Sequence, residues 1–278
     1  MKVEIKEMTA TKGLVVFSDT NPSVVNAIRR TMIADVPKMA IDSVEFHMGA
    51  IMGEEGKEFE SISPLFDEII AHRLSLLPIP TDLDIFVFRD KCACGGEGCP
   101  SCTIMYSINK KGPCIAYSGD LEPLGDSKFK IKNDLVPIVK LRDGQAILAY
   151  ATAQLSTGKE HAKYSPVCGV GLRYTAKISL DPSKCDLDEA CINSCPKDVF
   201  VREGKKIVIA HPEECNLCMA CVEVCELGCI TVGEDPSKIV FKYETDGALS
   251  AKELLIRTLK ILEEKFKGFG EMVSSLGK

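Results

Sequence analysis

The chain reads as an α+β protein built from more than one domain, and three features of the sequence predict this. Runs with strand alternation recur almost to the end, several segments carry helix start signals ahead of apolar periodicity, and a cysteine-rich piece interrupts a pair of strands. At 278 residues the chain is long for a single ordinary domain, so two or three are expected.

The elements follow in order. Val3 and Ile5, then residues 14–17, have strand character, with Lys12-Gly13 as the turn between them. Asn21-Pro22 reads as an N-cap with proline at the first helical position, where its missing N–H leaves nothing unsatisfied. The helix that follows carries Val24, Ala27, Ile28 and Met32 on one face and ends before Pro37. A second helix is expected to open at Ser63-Pro64 by the same logic and to run through Leu65, Ile69, His72 and Leu76 to Pro78. His72-Arg73 lies beside apolar residues there, which suits a packing or interface pair better than a metal ligand. Residues from about 80 to 166 are strand-rich with many turns. Residues 170–180 alternate as a strand and residues 238–243 form another, so the cysteine-rich piece between them is inserted into one sheet. Ser250 with Glu253 three residues on has the form of a capping box. Leu255, Leu259, Leu262 and Phe266 then recur along one face of a long terminal helix, widened by Leu254 and Ile261. That face either covers the chain's own sheet or receives a partner helix.

Composition narrows the function classes. With 45% hydrophobic and 27% charged residues the chain can bury a core and lacks the bias of disordered segments. A net charge of -6 argues against a protein whose main task is gripping phosphate backbones. No stretch approaches the roughly 18 apolar residues of a membrane span, and residues 1–6 lack the apolar run of a signal peptide. A cytoplasmic protein away from membranes is expected. Its fourteen cysteines are clustered as metal ligands are, which favours reduced thiols over disulfides.

Cys215, Cys218, Cys221 and Cys225 follow C-x2-C-x2-C-x3-C, the spacing with which bacterial-type ferredoxins hold iron–sulfur clusters. Three thiolates on one tight loop reach three corners of one cluster, while the fourth turns toward a second. Upstream, Cys185, Cys191 and Cys195, followed by Pro196, supply the companion motif, except that Asp188 stands where a thiol belongs. Under crossed ligation Cys195, Cys215, Cys218 and Cys221 hold one complete cluster, 4Fe-4S or 3Fe-4S. Cys185, Cys191 and Cys225 are left with Asp188 for the other. The alternatives there are a three-iron cluster, an Asp-ligated four-iron cluster, or none. A zinc knuckle made of two C-x2-C pairs is the competing reading, weaker because zinc needs four ligands and seven thiols stand in ferredoxin register, besides Cys229.

A second group, Cys92, Cys94, Cys99 and Cys102, has the spacing C-x-C-x4-C-x2-C with three interleaved glycines that let the backbone fold around a small ion. Four such thiolates fit a closed, structural zinc site, with a redox C-x2-C pair or a local disulfide as the other readings. Cys114 and Cys168 stand apart and are expected to be buried small residues.

These residues carry a family resemblance. Asn26-Ala27-Ile28-Arg29-Arg30 and the residues to Ile41 resemble the N-A-L-R-R helix of RNA polymerase alpha-type subunits. Residues 72–79 (HRLSLLPI) resemble their second helix, residues 159–166 (KEHAKYSP) their H-A-K-aromatic-S-P element, and Glu244-Thr245-Asp246-Gly247 their closing strand–helix turn. With a ferredoxin-like insertion and a C-x-C-x4-C-x2-C loop, the chain is similar to the D-type subunits of archaeal RNA polymerase, counterparts of the third-largest polymerase II subunit. The loop has one residue more in its middle gap than the eukaryotic zinc loop.

The resemblance implies an assembly subunit of a DNA-directed RNA polymerase. It implies a discontinuous dimerisation domain over residues 1–44, 167–182 and 234–278, an insert domain with the zinc loop over 45–166, and a ferredoxin-like iron–sulfur domain over 183–233. It further implies a heterodimer with the small subunit L, onto which the large subunits dock, with DNA met only through the complex. Arg29, Arg30, His72, Arg73, His161 and Lys163 are the implied contacts to the second-largest subunit. The residues themselves offer no phosphate-binding loop, no nucleotide-binding glycine fingerprint and no dense aspartate cluster for two-metal chemistry, so the nucleotidyltransferase activity would belong to the complex. The rival reading, a ferredoxin-domain electron-transfer protein, requires a cofactor or substrate domain that the sequence does not display. A zinc-stabilised nucleic-acid binder is disfavoured by 6% aromatic residues and an acidic total.

Overall fold

The computed structural model describes residues 1–52 and 56–276. The chain opens with β1 (Lys2–Met8), β2 (Lys12–Ser18), α1 (Pro22–Ala34), β3 (Pro37–Phe46), the short pair β4 (Ala50–Met52) and β5 (Glu58–Glu60), and α2 (Asp67–Ser75). The middle holds β6 (Thr103–Lys111), β7 (Cys114–Tyr117), β8 (Glu122–Pro123), β9 (Pro137–Leu141) and β10 (Ala146–Thr157). After β11 (Val167–Leu180) come α3 (Ala190–Asn193), β12 (Phe200–Glu203), β13 (Lys206–Ile209) and α4 (Ala220–Glu223), then β14 (Ile230–Thr245) and α5 (Ala251–Ser275). These elements gather into two compact units, one of residues 1–7, 13–27 and 171–242, the other of 8–12, 28–170 and 243–278.

The first unit contains most of a four-stranded sheet with strand order β1-β2-β14-β11. β11 and β14 are hydrogen-bonded neighbours, and everything between them belongs to the cysteine-rich piece, as the sequence predicted. That piece has its own small core of Cys191, Val199, Phe200, Ile207, Cys215, Cys221, Cys229 and Ile230, closed by Ala176, Ile178 and Leu180 of β11 and Val232 of β14. The β12–β13 hairpin supplies its backbone pairing, with Val201 opposite Val208.

The second unit is built on the antiparallel sheet β3-β10-β6-β8. β10 sits between two partners, so Ala151 lies opposite Val44 on one side and Tyr106 on the other. Strand period selects Ala149, Ala151, Ala153 and Leu155 for the buried face. The small alanines leave room for Tyr106, Ile108, Phe86 and Phe129 in the same core, where the two phenylalanine rings lie 4.9 Å apart. Ile70 and Leu74 of α2 close that core from one side.

Several local expectations are corrected. The turn after β1 falls on Thr9–Thr11 rather than Lys12-Gly13, because the Thr9 hydroxyl accepts the Lys12 N–H at 2.9 Å and leaves both later residues free to start β2. Asn21 does cap α1, its Oδ1 accepting the Ser23 N–H at 2.9 Å, but the buried stripe is Val25, Ile28 and Met32, with Val24 turned outward. α2 begins three residues late, since the Ser63 hydroxyl is used in a tight turn with Leu65 instead of a helix cap. Its inward residues are accordingly Ile70 and Leu74, while Ile69, His72 and Leu76 face out. Only half of the capping box forms: Ser250 Oγ accepts the Glu253 N–H at 3.2 Å, and the Glu253 carboxylate lies 3.7 Å from Arg257 instead. Cys168 is exposed, its thiol donating to the Glu244 carbonyl at 3.4 Å, and Cys114 is only partly buried, at the margin of the core that Ala116 enters from the same strand face.

Candidate metal centres and docking faces

The first centre is the loop between Arg89 and β6. Gly95, Gly96 and Gly98 all adopt positive φ (67°, 89° and 101°), a conformation that side chains resist and that turns the backbone sharply enough to aim four sulfurs at one point. The Sγ atoms of Cys92, Cys94, Cys99 and Cys102 all lie within 4.8 Å of one another, a set that can hold a metal ion. Cys92 and Cys99 are 3.5 Å apart, Cys94 and Cys102 3.7 Å, Cys99 and Cys102 3.9 Å. Arg89, which sequence reasoning passed over, braces the loop: its Nε donates to the Gly96 carbonyl at 2.7 Å and its Nη2 to that of Glu97 at 3.3 Å. The N–H of Gly98, together with the neighbouring thiols, pulls the Cys94 thiol down to about 6, which readies a thiolate ligand.

The cysteine-rich piece folds as two similar halves thirty positions apart. Cys185, Asp188, Cys191 and Cys195 in one half correspond to Cys215, Cys218, Cys221 and Cys225 in the other. Leu187 and Leu217 share positive φ (66° and 62°), as do Glu189 and Met219 (61° and 65°) and Asp198 and Gly228 (50° and 58°). Five of these six residues are not glycine, and left-handed backbone costs such residues on the order of 1–3 kcal/mol each. Such matched backbone can form a ligand cradle, since alternating handedness turns successive N–H groups toward one anionic centre.

Two concavities lie in this cradle. One is lined by Cys195, Cys215, Cys218 and Cys221, the other by Cys185, Asp188, Cys191 and Cys225. The structure thus brings together the two crossed sets that the spacing suggested. It also adds a residue the spacing missed: Cys229 lines the second concavity, its Sγ 3.1 Å from that of Cys225. Arg173 of β11 pins the first loop, donating to the carbonyls of Cys215 at 2.5 Å and Glu213 at 2.9 Å. Burial pushes the Cys221 thiol up to about 11 and raises that of Cys191 as well, so loading either set must displace protons. Among the described residues, no His, Cys, Asp or Glu group outside 92–102 closes to single-ion distances.

The docking candidates divide into engaged and exposed residues. Lys163 turns inward, its ammonium 2.8 Å from Asp42 and 3.2 Å from the Ile41 carbonyl, while His161 Nδ1 accepts the Lys163 N–H at 3.1 Å. Arg73 Nη1 donates to the Ile138 carbonyl at 2.6 Å, and Arg29 is likewise engaged. His72 and Arg30 stand exposed. Ile69 and Leu76, one turn to either side of His72 along α2, are exposed as well, and so are Ile62 and Phe66, the latter at 77%.

The Asp246 turn has a structural role: buried Lys38 reaches Asp246 at 2.7 Å and the Ser165 carbonyl at 3.2 Å, joining three of the resembling segments. Gly247 there takes φ 94°, open to glycine without strain.

α5 is moored from its start as far as Lys265. Ala251, Leu254 and Thr258 are buried, Arg257 meets Asp84 at 2.5 Å and Lys265 meets Asp35 at 2.7 Å. Leu255 and Leu262 are half-buried, whereas Leu259 and Phe266 are 46% and 70% exposed. Beyond them Phe269, Val273 and Leu276 continue the same stripe in the open. From Leu255 onward the spacing alternates four and three residues, the repeat of a helix–helix seam. Among the described residues no helix is long and apolar enough to cross a membrane.

A discontinuous α+β chain with an unpaired helical seam is the form of a dimerising subunit, and the comparisons with known proteins agree. The RNA polymerase Rpb3/Rpb11 dimerisation domain matches residues 15–266, and the chain belongs to that family. Within the family its likeness is to DNA-directed RNA polymerase subunit Rpo3. It is 40% identical to that subunit of Picrophilus torridus over 93% of this chain and 94% of the relative. Identity to the Thermoplasma volcanium subunit is 40% over the full length of both, and to that of Archaeoglobus fulgidus 36% over 99% and 98%. The chain therefore falls among the archaeal Rpo3 subunits.

Proposed function

We propose that this chain is a non-catalytic assembly subunit of an archaeal RNA polymerase. It heterodimerises with the small subunit L through a domain drawn from residues 1–44, 167–182 and 234–278, and the large subunits dock on that heterodimer in the cytoplasm. The exposed seam of α5 carries this reading, because burial of large apolar side chains gains about 1.5–3 kcal/mol each and here they wait for a partner. The exposed apolar residues flanking His72 suit a large-subunit contact, and exposed Arg30 and His161 are further candidates for one. Lys163 and Arg73 act in this scheme by shaping the surface from behind.

The cysteine sets fit two kinds of inorganic group. Four thiolates about 2.3 Å from a single zinc sit about 3.8 Å from each other, close to the spacing within Cys92, Cys94, Cys99 and Cys102. Neither of the 185–229 sets closes as a whole to single-ion distances, although Cys225 and Cys229 lie 3.1 Å apart, and that suits thiolates that bind different irons of one cluster. In this reading Cys195, Cys215, Cys218 and Cys221 hold a complete cluster and the second concavity holds another. Such a cluster supplies a rigid staple and, on one-electron change, a means of regulating assembly.

Leu259→Glu with Phe266→Glu tests the central claim, since both side chains are exposed and the substitutions leave the core untouched. Losing two such contacts removes roughly 3 kcal/mol or more, a hundredfold weaker heterodimer. Co-purification with subunit L should fail while iron, zinc and circular dichroism stay unchanged. An intact heterodimer would show that the seam serves something else.

A further inference from the structure

We infer that Cys229, and not Asp188, is the fourth ligand at the second concavity, together with Cys185, Cys191 and Cys225. The inference rests on the iron–sulfur reading above and departs from the ferredoxin spacing on which that reading was built. Asp188 is exposed, and one of its two carboxylate oxygens is already engaged: Oδ1 accepts the N–H of Ala190, the first residue of α3, at 3.0 Å. Its own N–H leans on the Asp186 carboxylate at 3.4 Å, so the segment is an Asx-type turn that ends at a helix start. A carboxylate is also a harder donor than the thiolates around it.

Cys229 lines the same concavity as Asp188 but is buried, and its sulfur is 3.1 Å from that of Cys225. Its carbonyl accepts the Asp181 N–H at 2.8 Å, which fixes the backbone and leaves rotation about χ1 as the way to aim the sulfur. The matching position in the other half is Val199, which has no ligating atom, so the thiol occurs only in the half-site where position 188 has lost one. With Cys229 included, the piece carries eight cysteines, the number two four-iron clusters require. Two thiolates on different irons stand further apart than 3.1 Å, so the Cys225 and Cys229 side chains rotate apart on loading. The Cys229 thiol gives its proton to solvent as its sulfur binds iron.

Iron, acid-labile sulfide and EPR measurements on the anaerobically purified full chain test this. About eight irons per wild-type chain are expected, and Asp188→Asn should keep them. Cys229→Ser should lose the second cluster or leave it as a three-iron species seen in the oxidised EPR spectrum. Asp188→Cys in the Cys229→Ser background should restore eight irons, a rescue that simple misfolding would not allow. Retention of all iron by Cys229→Ser, its loss from Asp188→Asn, or a Cys225–Cys229 disulfide in the anaerobic protein would each overturn the inference. Four irons in the wild type, lost with Cys218→Ser, would overturn it while leaving the complete cluster in place. A wild type without iron or sulfide would remove both readings together.

Discussion

Asp42 draws Lys163, a residue expected to face a partner, into the scaffold. It lies on β3 and gathers Lys163 at 2.8 Å, the Tyr164 hydroxyl at 2.9 Å and the Gln154 amide at 2.8 Å. Burial works to raise its pKa, but the hydrogen bonds from Lys163 and Tyr164 outweigh it and hold the carboxyl below its ordinary value. Because the folded value is the depressed one, the stabilisation is complete above about pH 4 and is lost as pH falls through the folded pKa. Asp42→Asn should therefore cost about 1 kcal/mol at pH 7, a figure already reduced for the side chain's 42% exposure. The gap between the melting temperatures of wild type and variant should close as the pH falls below the ordinary carboxylate range. A gap that persists in acid would mean that the carboxylate charge is not what holds the three elements. Nothing in the sequence marked Asp42, Lys38, Arg89 or Arg173, since their partners are backbone carbonyls or residues far along the chain. Cys229 was visible but carried no spacing signal.

At the scale of elements, spacing was legible where the element is its own frame. The zinc-type loop closes within eleven residues, so its ligand set could be read directly and the structure gathers all four sulfurs. Replacing Cys94 and Cys99 together with Ser should release one equivalent of zinc and speed hydrogen exchange over about 89–103. The core around Tyr106 and Phe129 should hold, because its packing does not depend on the metal. Global melting at the wild-type temperature would agree with this, and a collapse of the whole β6–β10 sheet would not. Helix faces were less legible. In both α1 and α2 the outward apolar residues, Val24 and Ile69, adjoin inward ones in sequence, and one residue of phase decides which is which. α2 was further displaced because Ser63 had two ways to use its hydroxyl, and the turn won. In α5 the predicted stripe is real, but the residues that bury against the chain's own body are its neighbours Ala251, Leu254 and Thr258.

For the whole molecule, the cysteine-rich piece should depend on its inorganic group more than the rest does. Its core has eight buried residues, four of them cysteines, too little apolar surface to hold five strained non-glycine φ angles unaided. Cys215→Ser with Cys218→Ser should therefore unfold residues near 183–233, detected as protease sensitivity. β11 and β14 pair with each other in the sheet, so the subunit L heterodimer should survive, with weaker docking of the large subunits. Normal incorporation of those subunits by the double mutant, or a protease-resistant piece without iron, would separate the cluster from assembly.

The sequence alone determined the α+β class, the insertion of the cysteine-rich piece between two strands, both cysteine spacings and the terminal amphipathic helix. All of these are periodicities or short-range spacings, set by backbone geometry over a few residues. Tertiary structure decided which apolar stripe faces inward, which charged residues are spent inside, and that Cys229 shares a concavity with Cys185 and Cys191. Those outcomes depend on long-range pairing, where the neighbours of a side chain are set by elements that no local pattern can name.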